Sequence, residues 1–263
     1  MQSPATPPPD TALPFSYTIT PLEPTEYTIS FTLADTCFAP LGTLLFKKNS
    51  YPPSATSSAQ RTKSRIARLN NISPQPTLFK ATDAATGEII GVAHWTIHTD
   101  DEEVTQSVAD AVADIVAASI PEMNRDAVRG FYTMVTEGKR DVLRVDVPVR
   151  GVYGRVGKTF PVVKLSRRVE LETVFVHPDF RRRGVATRLL EWGIAEAERL
   201  NFLVYLEATE EERRVYERVG FEVVRGERFD AARFGGEGGF YGEEAYGADG
   251  GLDHELWTAD VGM

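Results

Sequence analysis

The chain has 263 residues, 42% of them hydrophobic, which suits one large domain or two small ones and excludes disorder over most of the length. A formal net charge of -9 speaks against general affinity for nucleic acid. No charged-then-apolar leader follows Met1 and no apolar run approaches the roughly eighteen residues needed to cross a bilayer, so the expectation is a soluble, cytoplasmic protein without membrane or nucleic-acid partners.

From Met1 to Pro14 the chain carries five prolines and few large apolar residues, which predicts a disordered or polyproline-like arm. Ser16 to Pro21 alternates like a first strand, and Glu26 to Phe38 places Ile, Phe and Leu at helical spacing. Cys37, the only cysteine, rules out an intrachain disulfide and reads as a small buried hydrophobe. Lys47 to Ala59 is rich in Ser and Pro and reads as a loop, followed by a short basic helix over Arg61 to Leu69. Thr77 to Thr82 and Glu88 to Ile97 form a predicted hairpin around Asp83 to Gly87. Asp100 to about Arg168 reads as an insertion with two helices. The first shows Val104, Val108, Ala111, Val112, Ile115 and Val116 on one face and stops at Pro121. The second is capped by Asn124, with Val128, Phe131, Tyr132 and Val135 as its apolar side. Gly235 to Gly251 holds eight glycines and reads as a flexible loop before a last strand over Leu252 to Val261.

Between an apolar strand ending at His177 and an amphipathic helix running to about Asn201 lie Arg181, Arg182, Arg183, Gly184, Val185 and Ala186. Gly184 lets the backbone approach a ligand, consecutive amides at a helix start form an anion site, and arginines add donors suited to phosphate oxygens. A phosphate or pyrophosphate is the ligand this pattern fits. The helix that follows shows Leu189, Leu190, Gly193, Ile194, Ala197 and Leu200 as a core-facing stripe.

This segment, VFVHPDFRRRGVATRLLEWG from Val174 to Gly193, resembles the Q/R-x-x-G-x-G/A signature of the GNAT superfamily of acyl-CoA-dependent N-acyltransferases. A second signature of that family, Y-x-x-x-G-F, stands at Tyr216, Glu217, Arg218, Val219, Gly220 and Phe221. The resemblance covers Val169 to Val224 well and the hairpin loosely. It implies an α/β fold with a mixed, mostly antiparallel sheet flanked by helices, in which the hairpin strands precede the motif strand. It implies acetyl-CoA as acyl donor, with pantetheine along Val174, Phe175 and Val176. The pyrophosphate would be held by the residues from Arg181 through Arg182, Arg183, Gly184, Val185 and Ala186 to Thr187. It implies Tyr216 as the acid that protonates the departing thiolate, and a splay between the motif strand and the strand Phe202 to Ala208 where the thioester lies.

An amine attacks only without its extra proton, and a lysine-like amine with a pKa of about 10.4 is neutral in less than roughly one part in a thousand at pH 7. A base, a water relay or a desolvating pocket is therefore needed. Glu170 and Glu172 are the candidates, Glu170 being the closer match to the base of some family members; solvated strand carboxylates are the other reading of both. Strand alternation puts Glu170, Glu172, Val174 and Val176 on one side unless a bulge intervenes. Thr209 and Glu212 read as a T-x-x-E capping box for a helix that Gly220 ends.

GVYGRVGKT, Gly151 to Thr159, fails as a phosphate loop because its first glycine is one residue too distant and Pro161 interrupts the following helix. His94, His98, His177 and His254 are scattered, and no metal site is expected. The expectation is thus acetyl transfer from acetyl-CoA to a primary amine, on a small molecule or a peptide, by a monomer or homodimer, with the insertion setting acceptor choice. The rivals are a non-catalytic acyl-CoA-binding or sensing module, and a protein-lysine or N-terminal acetyltransferase. An enclosed pocket walled by the insertion would favour a small amine; an open groove would favour a protein.

Overall fold

The computed structural model describes residues 15–145, 152–153, 159–160, 163–209, 212–234 and 252–259. In chain order its elements are β1 (Tyr17–Pro21), α1 (Tyr27–Cys37), α2 (Ala39–Leu45), α3 (Ala55–Asn71), β2 (Thr77–Asp83), β3 (Ile89–His98), β4 (Glu102–Val104), α4 (Val108–Ala117) and α5 (Arg125–Leu143). Then come β5 (Val152–Tyr153), β6 (Thr159–Phe160), β7 (Val163–Leu165), β8 (Arg168–Val176), α6 (Val185–Leu200), β9 (Leu203–Thr209), α7 (Arg213–Glu217), β10 (Glu222–Phe229) and β11 (Leu252–Ala259). Seven strands make one sheet in the order β1-β2-β3-β8-β9-β11-β10, and β4 with β7 and β5 with β6 make two small ribbons. Every neighbour in the large sheet is antiparallel except β8 with β9. The fold is mixed α/β with a mostly antiparallel sheet, as the resemblance implied.

The centre of the sheet is covered on both faces, which is why β3 reads IIGVAHWTIH with scarcely any polar alternation. On one face α6 lays Val185, Leu189, Leu190 and Ala197 against Trp95, Val169, Leu171, Val204 and Leu206. Each such leucine contributes about 1.5–3 kcal/mol by leaving water. On the other face α1 packs Leu33, Ala34 and Cys37 against Leu78, Val92 and Phe175. A separate core joins α2, α4 and α5 through Leu44, Leu45, Val112, Val116, Val128 and Phe131 to Phe229 of β10. It seats α5 beside the large sheet.

Helix starts follow their caps. Ser54 accepts from the Ser57 amide, so α3 starts at Ala55, six residues before the expected basic helix and inside the expected loop. Ser107 and Asn124 cap α4 and α5; Val104, read as helical, belongs to β4, and α5 runs on to Leu143. The T-x-x-E box does not form: α7 begins after Glu212 with no side-chain cap. Thr209 is instead the last residue of β9, paired with His254 of β11. Met1 to Pro14, Gly235 to Gly251 and most of Gly151 to Thr159 lie outside the described residues. No single described helix is long and apolar enough to cross a membrane.

Gly193 sits where α6 crosses β3, and a Cβ there would lie 2.5 Å from Cδ2 and Cε2 of the Trp95 indole. Trp95 is fully buried and has no space to yield. Gly193→Ala is therefore expected to lower stability by about 1–3 kcal/mol or more, read as a reduced urea midpoint, whereas Ala195→Gly on the same helix should cost no more than about 1 kcal/mol.

Candidate active site

β8 pairs with β3 along its whole length, from His98 against Arg168 to Gly91 against Val176. Its parallel pairing with β9 covers only Arg168 to Leu171 against Leu203 to Leu206. Beyond Leu171 and Leu206 the two strands part, while β9 stays paired with β11 on its other edge. From Glu172 to Val176 the second edge of β8 has no strand partner among the described residues. This fork is the splay that the resemblance led us to expect.

A bulge sits at the same place. His94 stands opposite Thr173 and Trp95 opposite Leu171, so Glu172 is the extra residue. It reverses the alternation: Val169, Leu171, Val174 and Val176 all reach the α6 side, while Phe175 reaches the α1 side. The expectation of Glu170, Glu172, Val174 and Val176 on one side therefore fails, for the reason that had been allowed for.

The fork opens into a cavity of about 560 Å³ whose walls come from β8, β9, α2, α3, α5 and α7. Glu170, Glu172, Val174, Glu207 and Tyr216 all line it. A larger recess of about 760 Å³ between α1 and α3 has Asp35 and Lys63 as its only charged lining residues and lies away from the fork.

Glu170 is nearly buried at the closed end of the fork and heavily paired. Arg168 Nε donates to its Oε2 at 2.8 Å, His98 Nε2 lies 3.3 Å from the same oxygen, and Lys139 Nζ holds Oε1. Arg168, wholly buried, also donates to Glu102 at 2.9 Å and to the Ser166 carbonyl at 3.1 Å. Burial alone would raise the Glu170 carboxyl, but Lys139, the His98 hydrogen bond and Arg168 outweigh it and hold the group far below the usual carboxylate range. Such a carboxylate is a weak base. Lys139 behaves reciprocally: burial opposes its charge, and Glu170 and Glu172 more than restore it.

Two other carboxyls are pushed the opposite way. Glu172 is open to solvent along its side chain, yet crowding at its carboxyl and then the charge of Glu170 raise it. Glu207, one residue past the end of the β8–β9 ladder, is half-buried and accepts from Tyr205 Oη at 2.8 Å. Burial lifts it to about 7, the Tyr205 bond offsetting part of the rise. Its signal in the sequence was a lone carboxylate inside the strand LVYLEAT; Lys139 likewise continues the apolar face Val128, Phe131, Tyr132, Val135 of α5. His98, Glu170 and Glu172 bring ligand-type atoms within 4.8 Å of one another, a grouping the scatter of histidines did not foretell, and the cations on Glu170 oppose a metal ion there.

Tyr216 is buried on α7, and burial, then the Glu212 charge, raises its phenol well above the ordinary value. The Y-x-x-x-G-F pattern has a local cause. Phe221 N donates to Tyr216 O and Gly220 N to Glu217 O, both at 3.2 Å, the paired bonds of a Schellman end, with Gly220 at φ +93°. The Tyr216 and Phe221 rings close it at 5.9 Å.

At the other end of β8, Gly184 precedes α6 with φ +80° and no side-chain cap. A Cβ there would meet nothing nearer than Tyr17 Oη at 3.9 Å, so within the chain the glycine is required by its left-handed backbone, not by crowding. The arginines differ in their engagement. Arg181 donates to the Val176 carbonyl at 3.2 Å, Arg183 stacks on Phe15 and Phe180 at 4.7 and 5.5 Å, and Arg182 is exposed. Cys37 donates Sγ to the same Val176 carbonyl at 3.4 Å, and burial raises its thiol.

Sheet, fork and uncapped helix form one site, and comparison with known proteins shows what it is similar to. A family model described as an acetyltransferase (GNAT) domain matches residues 146–223. That segment is similar to a GNAT acetyltransferase domain, and the acyl donor of that family is acetyl-CoA. No curated protein matches the sequence. Among solved structures the fold is similar to a Drosophila melanogaster polyamine N-acetyltransferase that forms N-acetylagmatine, with TM-score 0.54 and 11% identity over 92% of this chain and 99% of that one. It is also similar to a mosquito arylalkylamine N-acetyltransferase, at TM-score 0.52 and 13% identity, and to an agmatine N-acetyltransferase, at 0.52 and 11%, with the same coverage of 92% and 99% in both cases.

Removing a partner from a buried ion cluster strands the charges left behind. Arg168→Met is expected to destabilise the protein at pH 7 by about 3–5 kcal/mol in urea denaturation. Because Glu170 is depressed in the folded state, its contribution is present above the ordinary 4.5 and is lost as pH falls below it. The gap between wild type and variant should accordingly narrow on acidification below about pH 4.5, and a constant gap would contradict the pairing.

Proposed function

We propose that this chain transfers the acetyl group of acetyl-CoA to the primary amine of a small molecule by direct attack. The observation that carries the reading is the cavity at the fork, walled by α5 and floored by β8 and β9, in which a buried tyrosine and two carboxyls of raised pKa face one space. An acceptor set against the wall of Phe131, Tyr132 and Val135 of α5 is a small amine more readily than a protein side chain. A non-catalytic module would have no use for a carboxyl poised near neutrality beside a protonated phenol.

The donor's pyrophosphate is assigned to the amides at the start of α6, from Val185 to Thr187, with Arg182, Arg183 and Gly184 beside them; no side chain of the chain itself caps that helix. Pantetheine lies along the free edge of β8 at Val174, Phe175 and Val176, and Arg181 shifts from the Val176 carbonyl as it enters. Glu207 accepts the proton of the incoming ammonium, directly or through water, with Glu172 beside it. Glu170 takes a different part from the one first considered: its cations hold it ionised, and it fixes the closed end of the fork. The amine nitrogen bonds to the thioester carbon, a backbone amide of β8 stabilises the oxyanion, the C–S bond breaks as Tyr216 gives its proton to the sulfur, and the surplus proton on nitrogen passes to the phenolate, directly or through water.

Glu207 must be ionised to act, so kcat/KM should rise with pH through about 7 and level off above it, with no descending limb from Tyr216 in the accessible range. Glu207→Gln is expected to lower kcat by about 10²–10⁴ and to erase that inflection. An unchanged pH profile in Glu207→Gln would remove it from the mechanism. Tyr216→Phe should lower kcat while acetyl-CoA affinity, titrated by calorimetry, stays within about threefold. Failure of the wild type to bind acetyl-CoA at all would defeat the whole reading.

A further inference from the structure

Beside the fork lies a side recess of about 200 Å³, between β3, β8 and α3. It shares Arg65, Arg68, Glu172 and Thr173 with the main cavity, so the two spaces adjoin. Its inner wall carries His94 and Thr96, two neighbours on the same face of β3, 9% and 2% exposed. His94 Nε2 and Thr96 Oγ1 are both buried without a hydrogen-bond partner among the described residues. An unmet buried polar atom costs about 1–3 kcal/mol, so two of them in one recess call for an occupant.

The outer wall says which kind. Arg61 and Arg65 share a single oxygen of Asp35, at 3.1 and 2.7 Å, which leaves one positive charge in excess. Arg65 is steadied by the Phe31 ring at 5.4 Å, and Phe31 stands edge-on to His94. Arg68 has no ion pair or hydrogen bond to its guanidinium among the described residues, although it faces both spaces. Burial lowers His94 to about 4, so its imidazole is neutral at pH 7 and offers a single N–H. Two guanidiniums, a hydroxyl and an imidazole N–H make a set of donors for a planar anion; the carboxyl of Glu172 stands where the two spaces join, and that of Glu207 lines the fork alone.

We propose that the acceptor is an amino carboxylate: its carboxylate enters the side recess against Arg65, Arg68, His94 and Thr96, and its amine reaches the fork at Glu172 and Glu207. This rests on the acetyltransferase reading above. It makes the substrate class zwitterionic, in contrast to the agmatine and arylalkylamines named for the structural neighbours. The bipolar lining works in both directions, because a diamine would set its second ammonium against Arg65 and Arg68.

Matched probes separate the possibilities: L-phenylalanine against phenethylamine and L-lysine against cadaverine, with acetyl transfer followed as release of the CoA thiol. The amino acid of at least one pair is expected to exceed its decarboxylated partner at least tenfold in kcat/KM. Arg68→Ala, on an exposed part of α3, should shrink that ratio about tenfold through KM. Thr96→Val removes an orphaned hydroxyl and should leave the melting temperature level or raised while weakening the amino acid, an outcome loss of folding cannot imitate. Calorimetry of the same four probes into CoA-saturated protein reads the carboxylate preference without turnover. If acetyl-CoA is bound and amines without a carboxylate win or draw in both assays, the proposal is overturned; if no probe is acetylated but the amino acids still bind better, the recess assignment stands and the acetyltransferase reading falls.

Discussion

Everything functional in this chain depends on the parting of β8 and β9. A parallel pair normally shares its hydrogen bonds to the end of the shorter strand, yet here the ladder stops at Leu171 and Leu206 while both strands continue. β9 stays in the sheet after leaving β8 because β11 holds its other edge from Val204 to Thr209. β8 keeps β3 on one side and exposes its other edge from Glu172 onward. An edge strand inside a cleft is a template for any extended ligand that brings its own donors and acceptors. The bulge at Glu172 belongs to the same event, since it turns Glu172 out of the ladder where the strands divide.

The electrostatics of the fork follow from how unevenly its charges are paired. Lys139, Arg168 and His98 all converge on Glu170, the carboxylate least able to reach water, and buried charge is tolerable only when paired in this way. Glu172 and Glu207 make none of those ion pairs, and burial is the largest influence on each, followed by the Glu170 charge at Glu172 and by the Tyr205 bond at Glu207. One cluster of carboxyls is thus divided into a permanently ionised member that holds the strands and two that are raised, Glu207 to about 7. Tyr205 links the two groups, its ring under Lys139 and its hydroxyl on Glu207.

Much was legible in the sequence where the cause was local. The cap of Asn124, the positive φ of Gly184 and the Schellman end at Gly220 each need only a few consecutive residues. The same holds for the α6 stripe and the β3 run. The helix start at Ala55 was missed because Pro52 and Pro53 precede it and Ser57 and Ser58 fill its first turn, and Ser54 as cap turned that composition into a helix. The supposed box at Thr209 failed because pairing with β11, more than forty residues away in sequence, extended the strand through it.

The two motifs, their spacing and the alternation of apolar segments determined the family resemblance, the topology of the motif half and the identity of Tyr216 as a candidate, because each is encoded by short-range backbone and packing rules. The part each glutamate takes was decided only by the tertiary structure. Glu170 and Glu172 differ by two positions on one strand, and nothing in their neighbours along the chain separates them. Lys139 from α5, His98 from β3 and the ladder register that carries Glu207 to the fork make the difference. A pKa is set by what stands within a few ångströms in space, and those groups come from segments dozens of residues apart.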